Sequence, residues 1–250
     1  MKEQRPDIFI SEGVEKTLSA LQKVYKPDDI RMAALYGSAV KGNFVCGISD
    51  INLFIVITHS AVAEFDQSTI PISKMLQHYR VQTKIVSERA LERSVNIFPV
   101  EYLEIRDTMN LLFGEDVLSL LKIDRSLYHH QVEERLYDSI TALRHLALII
   151  QGRRKVVQEF YVRWCGKQDT LFRAMIRLKD ERKLAEVGFE AGSHTAEMFG
   201  ELYGVPVEPL VGIYTFRDDP DIRLVGRDTI RELLRIYTAL EKHVESMTGL

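Results

Sequence analysis

Leu35-Tyr36-Gly37-Ser38-Ala39-Val40-Lys41-Gly42, followed by Ser49-Asp50-Ile51-Asn52-Leu53, is the stretch on which the fold of this chain turns. The apolar run Ile30 to Tyr36 ends in Gly-Ser, and Leu53 to Ile57 is a second apolar run. Both read as buried strands, because β-branched residues are frequent in them and turn residues flank them. Eleven residues separate Ser38 from Asp50. Gly37 lets the backbone approach a ligand closely. A helix starting near Ser38 would offer a phosphate its free N–H groups and the serine hydroxyl. Asp50 and Asn52 stand two apart on a strand, so both side chains point to one face. Two oxygen ligands there suit a hard cation such as Mg²⁺, which keeps waters and takes substrate phosphates as further ligands.

Working outward, Val14, Leu18, Leu21 and Val24 share one face of a helix over Ile10 to Val24, which Pro27-Asp28-Asp29 ends. Val81 to Val86 alternates as a strand with Gln82 and Lys84 on one face, and Ser87 caps a helix over Glu88 to Ser94. Val100 to Ile105 and Leu111 to Phe113 read as further strands. Strands interleaved with helices predict an α/β layer over residues 1–120. Beyond Gly114-Glu115-Asp116 the period changes to three or four: Val132 to Ile150, Val157 to Leu178 (with a break expected at Gly166) and Ile230 to Val244 read as amphipathic helices. Residues 121–250 are therefore expected to form a helical bundle domain. A short helix is expected at Phe199 to Tyr203, and Gly204 to Asp221, with Pro206, Pro209 and Pro220, reads as a long connection.

Composition sets limits. Of 250 residues, 46% are hydrophobic and 28% charged, as in a soluble globular chain, and the net charge of -3 gives no global attraction to nucleic acid. Cys46 and Cys165 form no CxxC pair, so incidental thiols are a better reading than a zinc site. No apolar stretch is long enough to span a bilayer, and the start, Met1-Lys2-Glu3-Gln4-Arg5, leads into no signal-peptide core. These features predict a cytoplasmic protein with no membrane partner; homo-oligomer formation is left open.

Gly-Ser, the spacer and the acid-x-polar step together resemble the pattern of the DNA polymerase β superfamily of nucleotidyltransferases, which includes aminoglycoside and small bacterial members. The specific part of the likeness covers about residues 32 to 57. A wider likeness to poorly characterised nucleotidyltransferase-like proteins rests on Ser49-Asp50-Ile51-Asn52, on Phe98-Pro99-Val100-Glu101-Tyr102-Leu103-Glu104-Ile105-Arg106-Asp107 and on Leu112-Phe113-Gly114-Glu115-Asp116. The resemblance implies a nucleotidyltransferase α/β fold, a mixed sheet with flanking helices, followed by the helical bundle. It also implies transfer of a nucleotidyl group from an NTP to a hydroxyl of an unknown acceptor, a small molecule or a protein. Two metals held by three carboxylates would align the reacting oxygens.

The chain departs from that pattern. Asn52 stands where the family has a second acid, and the strand expected to carry the third carboxylate reads Val81-Gln82-Thr83-Lys84-Ile85-Val86. If Lys84 occupies that place, its ammonium repels Mg²⁺ and pairs with Asp50. Glu101 and Glu104 are candidate replacements; read on a strand, residues three apart face opposite sides, so at most one joins the site. The resulting expectation assigns Asp50 and Asn52 to metal and catalysis, Glu101 or Glu104 to a base, and Gly37, Ser38 and Lys84 to nucleotide phosphate. Two functions stay open: a transferase with a depleted Mg²⁺ site, and an inactive nucleotide-binding or regulatory protein on the same scaffold. His129-His130 reads as the start of a helix and His145 as a core histidine of an apolar helix, His194 after Gly192-Ser193 has no ligand partner at useful spacing, and Gly152-Arg153-Arg154-Lys155 reads as a solvated basic turn.

Overall fold

A computed structural model describes residues 6–42, 44, 49–59, 69–151, 154–188, 192–218 and 226–247. The chain divides into two compact units, Met1–Ile123 and Asp124–Leu250. Among the described residues, the first holds a mixed four-stranded sheet with flanking helices, and the regular elements of the second are all helices.

The sheet follows from the apolar runs. Strands β1 (Ile30–Tyr36), β2 (Ile51–Ile57), β3 (Val81–Ser87) and β4 (Asn110–Gly114) lie in the order β3-β2-β1-β4. β1 runs antiparallel to both β2 and β4, whereas β2 and β3 are parallel. Strand β2 is apolar on both faces because both are covered. Ile51, Leu53 and Ile55 point into a core shared with Ala33 and Leu35, backed by helix α1 (Pro6–Val24) and by Met75 and Leu76 of α2 (Thr69–His78). Phe54 and Val56 point the other way, with Met32 and Ala34, against Leu91 of α3 (Glu88–Ser94) and Tyr102 and Ile105 of α4 (Pro99–Thr108).

Helix α1 packs on small residues. Gly13, Thr17 and Ala20 are buried, and a β-carbon at Gly13 would stand 2.8 Å from Ile51 Cδ1. The buried stripe is thus turned from the one drawn through Val14 and Leu18, which rest on the core only partly buried. The Thr17 hydroxyl donates to the Gly13 carbonyl at 2.7 Å, which satisfies a polar atom inside the interface. Helix α3 begins at the expected cap: the Ala90 N–H donates to Ser87 Oγ at 3.2 Å.

One element of this unit corrects the sequence reading. Pro99–Thr108 is helix α4, not a strand. Pro99 at the first helical position loses no hydrogen bond there and its fixed φ suits the helix. Val100, Tyr102, Leu103 and Ile105 are all buried, so the helix shows little amphipathic period and imitates a strand's run of apolar residues. The consequence for Glu101 and Glu104 is reversed: three apart on a helix, they share a face.

The second unit comprises α5 (Arg125–Ile149), α6 (Arg154–Lys179), α7 (Glu181–Val187), α8 (Ser193–Tyr203), α9 (Glu208–Asp218) and α10 (Arg227–Met247). Helix α6 runs unbroken through Gly166, and α9 replaces the expected long connection, since Pro209 falls in its first turn, where no N–H is needed. Gln168 organises the polar part of the core. Its Nε2 donates to the Trp164 carbonyl at 2.8 Å, and its Oε1 accepts from Ser139 at 3.3 Å and Tyr237 at 2.7 Å. His129 is buried with Nε2 3.1 Å from the Val244 carbonyl. His145 is exposed, its ring 5.2 Å from that of Phe160, which corrects its placement in the core. Cys165 is buried, whereas Cys46 and the side chains of the Gly152–Lys155 cluster lie outside the described residues. Among the described residues no helix is long and apolar enough to cross a membrane.

The β1–β4 edge gives a direct test of the sheet. Gly114 and Gly42 have similar φ values, 80° and 74°, but a β-carbon at Gly114 would stand 2.0 Å from the Arg31 carbonyl oxygen, whereas one at Gly42 would meet nothing within 4 Å among the described residues. Gly42→Ala should cost about 1–2 kcal/mol for the left-handed backbone alone. Gly114→Ala should cost about 1–3 kcal/mol more, since backbone must move. Urea denaturation of the two variants measures the difference.

Candidate functional site

The sheet brings the quoted stretch together at one end. Tyr36 lies opposite Asn52 in the antiparallel register, and Ile51 lies opposite Val81 in the parallel one. The end of β1 and the starts of β2 and β3 therefore converge, carrying Gly37, Ser38, Asp50, Asn52, Arg80 and Gln82 to one edge. Gly37 has φ 77°, and a β-carbon there would stand 2.9 Å from Asn52 Nδ2. Glycine is favoured at this position by its backbone angle, and the Asn52 amide, the end of a side chain, lies against it.

The strand is not followed by an α-helix at Ser38. Gly37–Ala39 forms a single 3-10 turn, and the N–H groups of Val40 and Lys41 both donate to the Gly37 carbonyl at 3.0 Å. A helix N-terminus would aim a fan of N–H groups outward. This turn directs two of them inward, so the phosphate cradle expected at Ser38 is reduced to the hydroxyl and the turn's first amides.

Each carboxylate of the region is matched with a cation. Asp50 Oδ1 accepts from Arg80 at 2.8 Å. Lys84 donates to Glu101 at 2.6 Å, and Lys41 donates to Glu104. The expected pairing of Lys84 with Asp50 is corrected by this arrangement. Because α4 presents Glu101 and Glu104 one turn apart, one carboxylate reaches β3 and the other reaches the turn after β1. Lys84 is further enclosed by aromatic rings, its Nζ lying 5.1 Å from the centre of Tyr102 and 5.4 Å from that of Phe98. Tyr102 is itself fixed by a hydrogen bond of 2.7 Å with Ser94.

The three pairs differ in burial, which sets what each is worth. Lys41 and Glu104 keep 7% and 15% of their side chains exposed, whereas Arg80 and Asp50 keep 44% and 39%. The first is a buried ion pair, and the last is a surface one. Asn52 Nδ2 lies 3.5 Å from the Asp50 carbonyl, at the outer limit of a hydrogen bond. Tyr36 is pushed up to about 12 from 10.0, chiefly by burial and secondarily by the charge of Glu101, which links α4 electrostatically to the residue before Gly37.

Sequence reasoning missed Arg80 and Lys41. Arg80 is the described non-glycine residue with positive φ, at 53°. Its carbonyl accepts from the Ile51 N–H at 3.0 Å, and its Nε lies 3.4 Å from the Ser49 carbonyl, so it holds the entry to β2 at several points. A parallel pairing of β2 and β3, had it been assumed, would have put Arg80 beside Asp50. Lys41 lay within the quoted motif, but its partner is legible only once Glu104 is on a helix. Among the described residues no cluster of three or more His, Cys, Asp or Glu side chains is gathered as metal ligands. A groove of about 850 Å³ lined by Arg231, Leu234, Arg235 and Lys242 runs along α10 in the other unit and shares no residue with this cluster.

In comparisons with protein-family models and with curated proteins, the chain matches none.

Two measurements test the site. Glu104→Gln should destabilise by about 3–5 kcal/mol, because Lys41 is left charged and buried, and Lys41→Met/Glu104→Leu should recover most of the loss. Asp50→Asn at the exposed pair should cost no more than about 1 kcal/mol. Alkaline titration supplies the second. The folded value of Tyr36 exceeds the unfolded one, so its contribution to stability is intact below pH 10 and is lost as pH rises towards 12. Tyr36→Phe should remove one late-titrating tyrosinate from the ultraviolet titration. Glu101→Gln should bring it down while burial keeps it above 10.

Proposed function

We propose that this chain is a nucleotide-binding regulatory protein on a nucleotidyltransferase-like scaffold, without two-metal catalysis. The observation that carries the reading is the matching of Asp50, Glu101 and Glu104 with Arg80, Lys84 and Lys41. Two divalent ions need a surplus of negative charge from the protein before substrate arrives. Here the three carboxylates and three cations sum to nothing, and Asn52 contributes no charge. An NTP would be held by Ser38 and the first amides of the Gly37–Ala39 turn, which is a small set of donors. Its binding is accordingly weak and nearly independent of Mg²⁺.

A second reading, an active Mg²⁺-dependent transferase acting on a hydroxyl of a small molecule or protein, draws support from α4. On a helix both Glu101 and Glu104 face the sheet, so with Asp50 the number of carboxylates is sufficient. That reading requires substrate phosphates to draw Lys84 and Lys41 away and release the acids to metal.

Titration calorimetry with ATP and GTP, with and without Mg²⁺, separates the two. The regulatory reading expects Mg²⁺ to change the wild-type Kd by less than about threefold, or ~0.6 kcal/mol. Asn52→Asp/Lys84→Met, which adds one acid and unmasks another, should gain Mg²⁺ dependence. Strong Mg²⁺-dependent binding by the wild type, abolished by Asp50→Ala, would favour the transferase, as would transfer of label from an NTP to an acceptor.

A further inference from the structure

One residue beside this cluster occupies a capping position that its chemistry does not suit. Phe98 is the N-cap of α4, a position that favours Ser, Thr, Asp or Asn because their oxygen accepts a helix N–H. Phe98 makes no such bond, and 44% of its surface is exposed. Ile97 beside it is exposed as well. The ring is nevertheless held in a defined setting. The Lys84 ammonium lies 5.4 Å from its centre and is itself fixed by Glu101 at 2.6 Å and by Tyr102. One side of the ring thus meets a positioned cation, and much of the remainder meets solvent.

We propose that Phe98 is a stacking platform for the base of a bound purine nucleotide whose phosphates extend towards Gly37 and Ser38. The inference rests on the nucleotide-binding reading above and names the part of the ligand that supplies selectivity. Stacking on an aromatic side chain is a main source of affinity for a base, and it grows with the ring area covered, which favours two-ring bases. A cation held over one ring face draws electron density and suits the other face to an electron-rich base. The route from platform to turn is continuous: Phe98 adjoins Lys84, Lys84 shares a strand face with Gln82, Gln82 lies opposite Asn52, and Asn52 lies against Gly37. Gln82, two residues before Lys84 on the same strand face, adds an exposed amide for the ring edge. The alternative occupant, an apolar patch of a partner protein, fits less well, because Ile97 and Phe98 make a patch far smaller than a stable interface.

Calorimetry with ATP, UTP and inorganic tripolyphosphate, on the wild type, Phe98→Ala and Phe98→Tyr, tests this. The expected result is that Phe98→Ala weakens ATP about tenfold and leaves tripolyphosphate unchanged, whereas Phe98→Tyr keeps ATP binding. The preference of the wild type for ATP over UTP should vanish in Phe98→Ala. Unaltered ATP binding by Phe98→Ala would overturn the platform alone, as would an equal loss of ATP and tripolyphosphate. A wild type that binds tripolyphosphate as tightly as ATP would do the same. A wild type that binds neither would overturn the platform and the nucleotide reading together.

Discussion

The ion pairs made by one face of α4 are the constraint on which the candidate site depends. Glu101 and Glu104 stand one helical turn apart and reach two different elements, Lys84 on β3 and Lys41 in the turn after β1. The inner pair is nearly closed to water, so neither partner can be left charged alone without a large penalty. That requirement fixes α4 over the sheet and closes the Gly37 turn onto it. The apolar contacts of Tyr102 and Ile105 with Phe54, Met32 and Ala34 do the rest. The acids nearest the sheet end are thereby committed to the protein's own cations.

The electrostatic consequence separates scaffold from chemistry. A strand-end glycine, a serine and an acid on the next strand are compatible with phosphate and metal work in general. What decides the matter is the charge surrounding them. Arg80, forced into a left-handed backbone conformation, gives up local comfort to hold Ser49 and Asp50, and such strain persists only where neighbouring contacts over-determine it. The Asp50 pair is exposed and so can open, whereas the Lys41 pair cannot open without moving the turn. Any ligand-driven change at this site would therefore begin at Arg80 and Lys84 and end at Lys41.

Much of the fold was legible because burial leaves a period in the sequence. The runs at Ile30, Leu53, Val81 and Leu111 became strands, and Ser87 capped its helix, since each signal is local. Helix α4 was not legible: with most of its apolar residues buried, it keeps polar residues only at Glu101, Glu104 and its last turn, and both glutamates are engaged in ion pairs. Helix α9 was obscured by prolines that its first turn tolerates. At the site, the partners of the charged residues were not legible, because Lys41 with Glu104 and Lys84 with Glu101 join segments that only the three-dimensional packing of α4 brings together.

Matched as they are with Arg80, Lys84 and Lys41, the acids at this sheet end have no surplus charge to offer divalent ions. Electron paramagnetic resonance of Mn²⁺ titrated into the protein in the presence of ATP reads that property directly, because free and bound ion differ in signal. The wild type and Asp50→Asn should retain the same weak Mn²⁺ uptake, no greater than that of ATP alone. Uptake of two ions per chain by the wild type, lost in both Asp50→Asn and Glu101→Gln, would contradict it.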